Sequence, residues 1–492
     1  MSLINISNLT FAYEGSYDNI FEDVSFQIDT DWKLGFTGRN GRGKTTFLNL
    51  LLGKYEYIGH IAASVRFQYF PYPIPDKTKH TGQIVEEIHP HYQDWELTRE
   101  LSLLDVNTDV LTRPFETLSN GEQTKVLLAT LFLSQNNFLL IDEPTNHLDI
   151  AGREIVSRYL NGKSGFILVS HDRSFLDGCV NHILSINRAD IEVQRGNFSS
   201  WYANKQNQDN YELAENTKLK KDIKRLKETA REKALWSDKI EATKIGFGSC
   251  DRGAVGARAA KMMKRSKAIE GRMNRSIDDK TKLLKNIEQA DALKITQLPY
   301  HKSRYLTLSD VSITYGDKTA CQDINLTINH GDRIALRGKN GSGKSSIIKL
   351  ICGEDIAYTG QVDIGSGLKI SYVSQDTSHL TGSLTHYAHK CGIDESLFKA
   401  ILRKLDFTRV QFDKDMQDFS GGQKKKTLLA RSLCEKAHLL VWDEPLNFVD
   451  VLSRMQIEDL LLAYEPTILF VEHDRFFCNR IATTTLQLAD FR

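Results

Sequence analysis

Two lysines, two Asp-Glu pairs and two histidines recur in this chain in one order and at matched spacing. The first set opens with Gly38-Arg39-Asn40-Gly41-Arg42-Gly43-Lys44-Thr45. It continues with Leu118-Ser119-Asn120-Gly121-Glu122-Gln123 and Leu140-Ile141-Asp142-Glu143-Pro144, and ends at His171. The second set is Gly338-Lys339-Asn340-Gly341-Ser342-Gly343-Lys344-Ser345, then Phe419-Ser420-Gly421-Gly422-Gln423, Val441-Trp442-Asp443-Glu444-Pro445 and His473. Lysine to signature serine spans 75 residues in one half and 76 in the other, serine to glutamate 24 in both, and glutamate to histidine 28 and 29. One glycine-rich loop ending in Lys-Thr or Lys-Ser can arise by chance. Four motifs in the same order, twice, imply two sites for ATP.

Each residue type has a chemical reason to be there. Backbone N–H groups of the loop and of the helix that follows would surround phosphates. In the first half these come from Gly38, Asn40, Gly41, Gly43 and Thr46; in the second, from Gly338, Asn340, Gly341, Gly343 and Ser346. Lys44 and Lys344 would neutralise the β- and γ-phosphates, while the hydroxyls of Thr45 and Ser345 would hold Mg²⁺. Asp142 and Asp443 end their strands where a carboxylate can contact the Mg²⁺ shell. Glu143 and Glu444, one residue on, would polarise the attacking water, and His171 and His473 would contact the γ-phosphate. A strand-end salt bridge is the bland alternative for these carboxylates, and the adjoining loops argue against it. Ser119 and Gly121, like Ser420 and Gly422, open predicted helices and offer hydroxyl and N–H donors to an anion.

These residues need a scaffold of strand, loop and helix. Alternating segments such as Ile4–Leu9 and Leu306–Val311 read as strands. An apolar strand then feeds each glycine-rich loop and an amphipathic stretch, Thr46–Leu52 or Ser346–Ile351. Phe138–Ile141 and Leu439–Trp442 are apolar runs suited to buried parallel strands. The fold class is therefore α/β, with a nucleotide-binding domain over 1–204 and a second over 303–492. Between them, residues 197–245 contain neither Gly nor Pro, and Leu219, Ile223, Leu226 and Ala230 recur at helical spacing. Gly246, Gly248, Gly253 and Gly256 then cluster before a second helical pattern from Ala257 to about Ala290. Residues 205–302 read as an antiparallel helical hairpin with its tip near 244–256.

Charge concentrates on that hairpin. Residues 211–300 hold 22 Lys/Arg against 13 Asp/Glu, a net of +9 in a chain whose total is +1. A solvated helical face is the ordinary reading of such a run. Here the positive residues crowd the tip and the start of the second helix, among Gly, Ala and Met, which favours a polyanion, RNA above all. The seven cysteines form no C-x-x-C pair, which argues against a zinc or iron–sulfur module. No apolar run is long enough to span a bilayer and the first residues are no secretory signal, so a cytoplasmic protein is expected.

The paired motifs resemble the ATP-binding cassette (ABC) family, over about 1–200 and 303–492. That resemblance implies two composite sites, each signature lying on the other half's nucleotide: Lys44 and Glu143 with Ser420, Lys344 and Glu444 with Ser119. It also implies adenine stacking by Tyr13 and Tyr315, and a metal-contacting glutamine at Gln375. Tyr72 stands opposite Gln375, and Gln68 is four residues too early, so the first site is expected to lack that ligand. Pro445-Leu446-Asn447-Phe448-Val449-Asp450 also departs from Pro144-Thr145-Asn146-His147-Leu148-Asp149, and the two sites are expected to work at unequal rates.

Two cassettes in one chain with a basic helical arm resemble the ABC-F family of ribosome-associated ATPases. The motif spacings leave no room for the arm that housekeeping members insert in the first cassette. Glu212–Asn216, Arg225–Arg231, Gly256–Ala260, Met263–Lys267 and Trp442–Asn447 look like the Lsa group of antibiotic-resistance members. The implied partners are the 70S ribosome, its 23S rRNA and the P-site tRNA, reached by the 205–302 linker of a monomer whose cassettes pair internally. The implied activity is displacement of lincosamides, streptogramin A compounds and pleuromutilins. A housekeeping translation factor and the motor of a transporter are the alternatives; the second has no use for a basic hairpin of this length. Neutralising Lys261, Lys264, Arg265 and Lys267 together should weaken ribosome binding and flatten its salt dependence, measured by co-sedimentation across a potassium series.

Overall fold

The computed structural model of the chain describes residues 2–14, 19–133, 137–146, 148–187, 190–242, 264, 293–295, 297–316, 318–339 and 341–488. They fall into two units, Met1–Trp201 with Ala290–Arg492, and Tyr202–Gln289.

Both cassettes lie in the first unit, and each is built from two sheets. In the strand Leu3–Phe11, Ile4, Ile6, Leu9 and Phe11 are buried while their neighbours are less so. That near-alternation marks a sheet with one face in the core. The strand pairs antiparallel with Phe21–Asp29 and with Ile58–Ala62. Arg304–Tyr315 repeats the arrangement between Lys318–Asn329 and Tyr358–Ile364.

The second sheet of each cassette is mostly parallel and carries the chemistry. Its order in the first cassette is Arg66–Phe70, Asn137–Asp142, Phe166–Val169, Lys33–Thr37, His182–Asn187, with Asp190–Arg195 antiparallel at the edge. In the second it is Ile370–Val373, Leu439–Asp443, Ile468–Val471, Arg333–Arg337, Thr484–Gln487. Phe166–Val169 and Ile468–Val471 are buried along their whole length, as expected for apolar runs covered on both faces. Three adjacent parallel strands thus end on one edge. One ends at Asp142, the next leads to His171 and the third feeds the loop 38–43. The topology itself gathers residues more than a hundred positions apart, at the place where open parallel sheets bind ligands.

The apolar cores follow these sheets. Phe36, Phe47, Phe138, Ile167 and Leu184 pack together in the first cassette, and Leu336, Ile347, Val441 and Leu469 in the second. A further core in the second cassette gathers Trp442, Phe470 and Phe477 with Leu293 and Ile295. The chain therefore joins the packing of that cassette some ten residues before position 303.

The long helix after the first cassette covers Phe198–Ala242, 45 residues and roughly 68 Å at 1.5 Å each. It starts about seven residues earlier than the sequence reading placed it. Phe198 and Trp201 are buried with ring centroids 5.4 Å apart, and the Ser199 amide donates to Asp177 Oδ1 at 2.8 Å. The first turn is held down by the cassette, which helical periodicity along the exposed part does not reveal. The expected tip at 244–256 lies outside the described residues. So does the expected return helix, apart from the helical, exposed Lys264. Among the described residues no helix is long and apolar enough to cross a membrane.

One buried ion pair fixes the second cassette. Lys426 Nζ lies 2.6 Å from Asp450 Oδ2, with both side chains almost wholly covered. Burial pushes the Asp450 carboxyl up, but the Lys426 charge and hydrogen bond, with the Ser453 amide, hold it well below the usual carboxylate range. A carboxyl depressed in the fold contributes stability above its unfolded value of about 3.9 and loses it as pH falls through the folded one. Lys426→Met would leave that carboxylate buried alone, at a cost of about 3–5 kcal/mol. We expect a lower thermal midpoint at pH 7, partly restored by adding Asp450→Asn, read by differential scanning calorimetry.

Candidate functional site

Each glycine-rich loop runs straight from a parallel strand into a helix, Lys44–Leu51 or Lys344–Ile351. Gly41 and Gly43 have φ of 82° and 97°, and Gly341 and Gly343 84° and 82°. Side chains rarely adopt that left-handed backbone, so glycine is what lets the loop fold around a small concavity. Both loop lysines fold onto their own loops. Lys44 Nζ donates to the Gly38 carbonyl at 2.7 Å, the Arg39 carbonyl at 3.1 Å and Asn40 Oδ1 at 3.3 Å. Lys344 Nζ donates to the Gly338 and Lys339 carbonyls, both at 2.8 Å. Burial pushes both ammonium groups down, and nearby carboxylates oppose it.

The residues expected near metal come together. Thr45 Oγ1 donates to Asp142 Oδ2 at 3.3 Å, and Ser345 is hydrogen-bonded to Asp443. Asp443 is 1 % exposed and its Oδ1 has no hydrogen-bond partner. An orphaned carboxylate oxygen beside a hydroxyl fits a hard divalent cation. Burial pushes both aspartates up, which a bound cation would reverse. Tyr13 and Tyr315 occupy equivalent exposed positions, their hydroxyls 2.8 Å from Thr46 Oγ1 and 3.3 Å from Ser346 Oγ. Asn340 lies outside the described residues.

The cassettes meet head to tail. A cavity of about 350 Å³ is lined by Lys344, Ser345, Gln375, Glu444 and His473 of the second cassette together with Asn120 and Asn146 of the first. Asn120 is the first residue of the signature helix, whose N-cap Ser119 takes the Glu122 amide at 3.2 Å. On the other side, the Ser420-capped helix brings Gly422 against the first loop. A Cβ on Gly422 would collide with the Phe448 carbonyl and press to 3.0 Å on Asn40 Nδ2. Arg39 and Arg42 reach across to Asp406 at 3.5 and 3.8 Å. Two residues after each histidine an arginine crosses the interface: Arg173 pairs with the buried Glu458, and Arg475 with Glu154.

The two glutamates, alike in sequence, sit differently. Glu444 Oε2 accepts from Gln375 Nε2 at 2.9 Å and Asn447 Nδ2 at 2.6 Å, and His473 Nε2 is 3.2 Å from Oε1. Burial pushes it up, but the His473 hydrogen bond and charge, with Lys425 and Gln375, bring it below its ordinary value. Glu143 has His171 Nε2 at 3.4 Å, and its Oε1 is buried without a hydrogen bond. Burial and the Asp142 charge push Glu143 up to about 8. His171 is driven well below its usual range, by burial first and then by Lys44.

Gln375 thus reaches the glutamate in this structure. The strand pairing sets Tyr69 beside Leu140 and Tyr372 beside Val441, which puts Tyr72 where Gln375 stands. Three participants escaped the sequence reading. Tyr69 donates to Asp142 Oδ2 at 3.0 Å, Lys425 Nζ to the Ser374 carbonyl at 2.9 Å, and Asn447 holds Glu444. Only Asn447 left a signal, the Pro-x-Asn shared by Pro144–Asn146 and Pro445–Asn447.

Residues 21–146 and 321–447 match the pattern of the ABC transporter family. The chain belongs to that family. It is an ATPase of the ABC-F branch, and its cassettes bind ATP. Ribosome protection protein VmlR of Bacillus subtilis is 28% identical over 99% of this chain and 87% of its own length. Energy-dependent translational throttle protein EttA of Escherichia coli is 26% identical, over 96% and 90%. Among solved structures, the archaeal ribosome recycling factor aABCE1 in complex with stalk protein aP1 shares the fold. Its TM-score is 0.64, at 17% identity, covering 98% of this chain and 88% of that one. An RNase-L inhibitor structure aligns at 0.63, with the same identity, over 99% and 88%. Because Gly422 leaves no space for a Cβ whereas Gly421 has only an ordinary 3.4 Å neighbour, Gly422→Ala should cut the ATPase rate strongly and Gly421→Ala little, by steady-state phosphate release.

Proposed function

We propose that the chain binds two ATP molecules with Mg²⁺ at composite sites and acts on the ribosome, where it protects translation from drugs of the peptidyl-transferase centre. The observation that carries the two-site part is the cavity that joins Lys344, Glu444 and His473 to Asn120 and Asn146 of the other cassette.

Lys44 and Lys344 would leave their loop carbonyls to neutralise phosphate oxygens, and the loop amides would hold them in place. Thr45 with Asp142, and Ser345 with Asp443, would hold Mg²⁺, which supplies charge neutralisation when bound. Glu444 is oriented by three donors toward the cavity, in the ionised form that can take a proton from water. Burial and Asp142 push the Glu143 carboxyl up whereas its hydrogen bonds bring Glu444 down, so the second site would carry the faster turnover. Ser119 and Ser420, each from the opposite cassette, would close over the nucleotide. Hydrolysis would remove the anion that draws the faces together and release the chain from its partner.

The ribosomal part is supported by relatives named for ribosome protection and for translational throttling, both matched nearly end to end, and by the basic residues of the 205–302 segment. That segment would reach toward rRNA and the P-site tRNA and dislodge lincosamides, streptogramin A compounds or pleuromutilins, in a cytoplasmic setting. The likeness to the throttle protein favours one competing reading, a housekeeping translation factor.

Glu143→Gln with Glu444→Gln should bind ATP, stay closed and co-sediment with ribosomes, whereas a double variant left free in ATP would remove the ribosomal reading. The gene should raise the inhibitory concentration of a lincosamide and a pleuromutilin in a susceptible host, and the double variant should not. Ribosome binding without any rise would move the assignment to housekeeping.

A further inference from the structure

Two tyrosines stand alike beside the strand-end aspartates, yet only one is bonded there. In the strand Arg66–Phe70, Tyr69 pairs with Leu140, two residues before Asp142; in Ile370–Val373, Tyr372 pairs with Val441, two before Asp443. Equivalent backbone placement does not give equivalent contacts. The Tyr69 hydroxyl donates to Asp142 Oδ2 at 3.0 Å, on the same oxygen that accepts from Thr45 Oγ1 at 3.3 Å. A phenol keeps its proton up to about pH 10, so Tyr69 is the donor. Its ring packs on the first apolar core, with Lys54 Nζ 5.5 Å from the ring centroid. Among the described residues Tyr372 gives Asp443 no such bond. The Asp443 side chain is bonded to Ser345, and its Oδ1 has no partner.

We propose that Tyr69 is a positioning residue for the metal of the first site, and that Tyr372 has no such part in the second. Tyr69 touches the carboxylate, not the ion. A carboxylate turns about its bond to Cβ unless a partner pins one oxygen, and the phenol pins Oδ2 of Asp142. When the Thr45 hydroxyl turns from Oδ2 to a cation, the phenol stays and keeps the carboxylate in place. Outer partners of this kind change metal affinity by about tenfold to a hundredfold. The cassettes divide their donors differently. In the second, Gln375 donates to Glu444 and an Asp443 oxygen is left without a partner. In the first, the equivalent position holds Tyr72, whose hydroxyl is buried without a partner, and the donor comes from three residues earlier and goes to the aspartate.

The inference rests on the reading of Thr45 and Asp142 as the first site's metal ligands, and the test separates the two. The full chain would carry Glu143→Gln, which stops first-site turnover, and Lys344→Ala, which disables the second site. Its affinity for N-methylanthraniloyl-ATP is measured with Mn²⁺ and again in EDTA; the ratio of the two reports the contribution of the metal. Tyr69→Phe keeps the ring on the core and beside Lys54 and removes only the hydroxyl. It should shrink the ratio by about tenfold and leave binding in EDTA unchanged. In the mirror background, Lys44→Ala with Glu444→Gln, Tyr372→Phe should leave the ratio unmoved. An unchanged ratio with Tyr69→Phe, an equal loss with Tyr372→Phe, or weaker binding in EDTA that accounts for the whole change would each overturn the positioning role. Asp142→Asn in the first background should abolish the advantage given by Mn²⁺. If that advantage survived, the metal reading itself would fall, and the role of Tyr69 with it.

Discussion

The lysine and glutamate that face one nucleotide cavity come from one cassette, and the signature helix that closes it comes from the other. Asn120 and Asn146 line the cavity of Lys344 and Glu444, while Gly422 lies against Asn40. The cavity around Lys344 is lined by both cassettes, so the interface between them forms part of its wall. Its strongest groups are charged: Arg173 with Glu458, Arg475 with Glu154, and Arg39 and Arg42 with Asp406. These ion pairs fix register through geometry and charge, yet exposed ones such as Arg475 with Glu154 add little net stability once solvated.

Repetition in the chain hides a physical asymmetry. Both cassettes supply a buried glutamate one residue past a strand-end aspartate, with a histidine nearby. In the second, Gln375, Asn447 and His473 give the carboxylate enough donors to remain ionised despite burial. In the first, Tyr72 replaces the glutamine, Tyr69 spends its hydroxyl on Asp142, and burial wins over the few donors left to Glu143. Fewer donors at the first glutamate thus leave burial less opposed, because a low-dielectric site magnifies each missing hydrogen bond.

Most of the scaffold was legible in the sequence, for reasons that can be named. Period-two burial announced the strand at Ile4–Leu9, apolar runs announced Phe138–Ile141, and the glycine-rich loops announced the strand–loop–helix turns around them. The placement of Thr45 by Asp142 and of Ser345 by Asp443 follows from that local order. The start of the long helix was not legible, because Phe198 and Trp201 are helical through packing on the cassette and outside the a/d pattern. Lys425 and Lys426 look like surface cations in sequence, yet both are buried, reaching backbone carbonyls and Asp450.

By itself the sequence determined two nucleotide-binding cassettes, the residues proposed to face phosphate, water and metal, and a basic segment between the halves. Those depend on local chain order, on glycine where backbone must approach an anion, and on charge composition, all of which a string of residues carries. Only the tertiary structure decided that Asn447 holds its own glutamate, that the Phe448 carbonyl meets Asn40 across the interface, and that Glu444 has donors that Glu143 lacks. Hydrogen bonds across some four hundred positions, and the burial that sets a carboxyl's proton affinity, exist only once two surfaces have met and expelled water from between them.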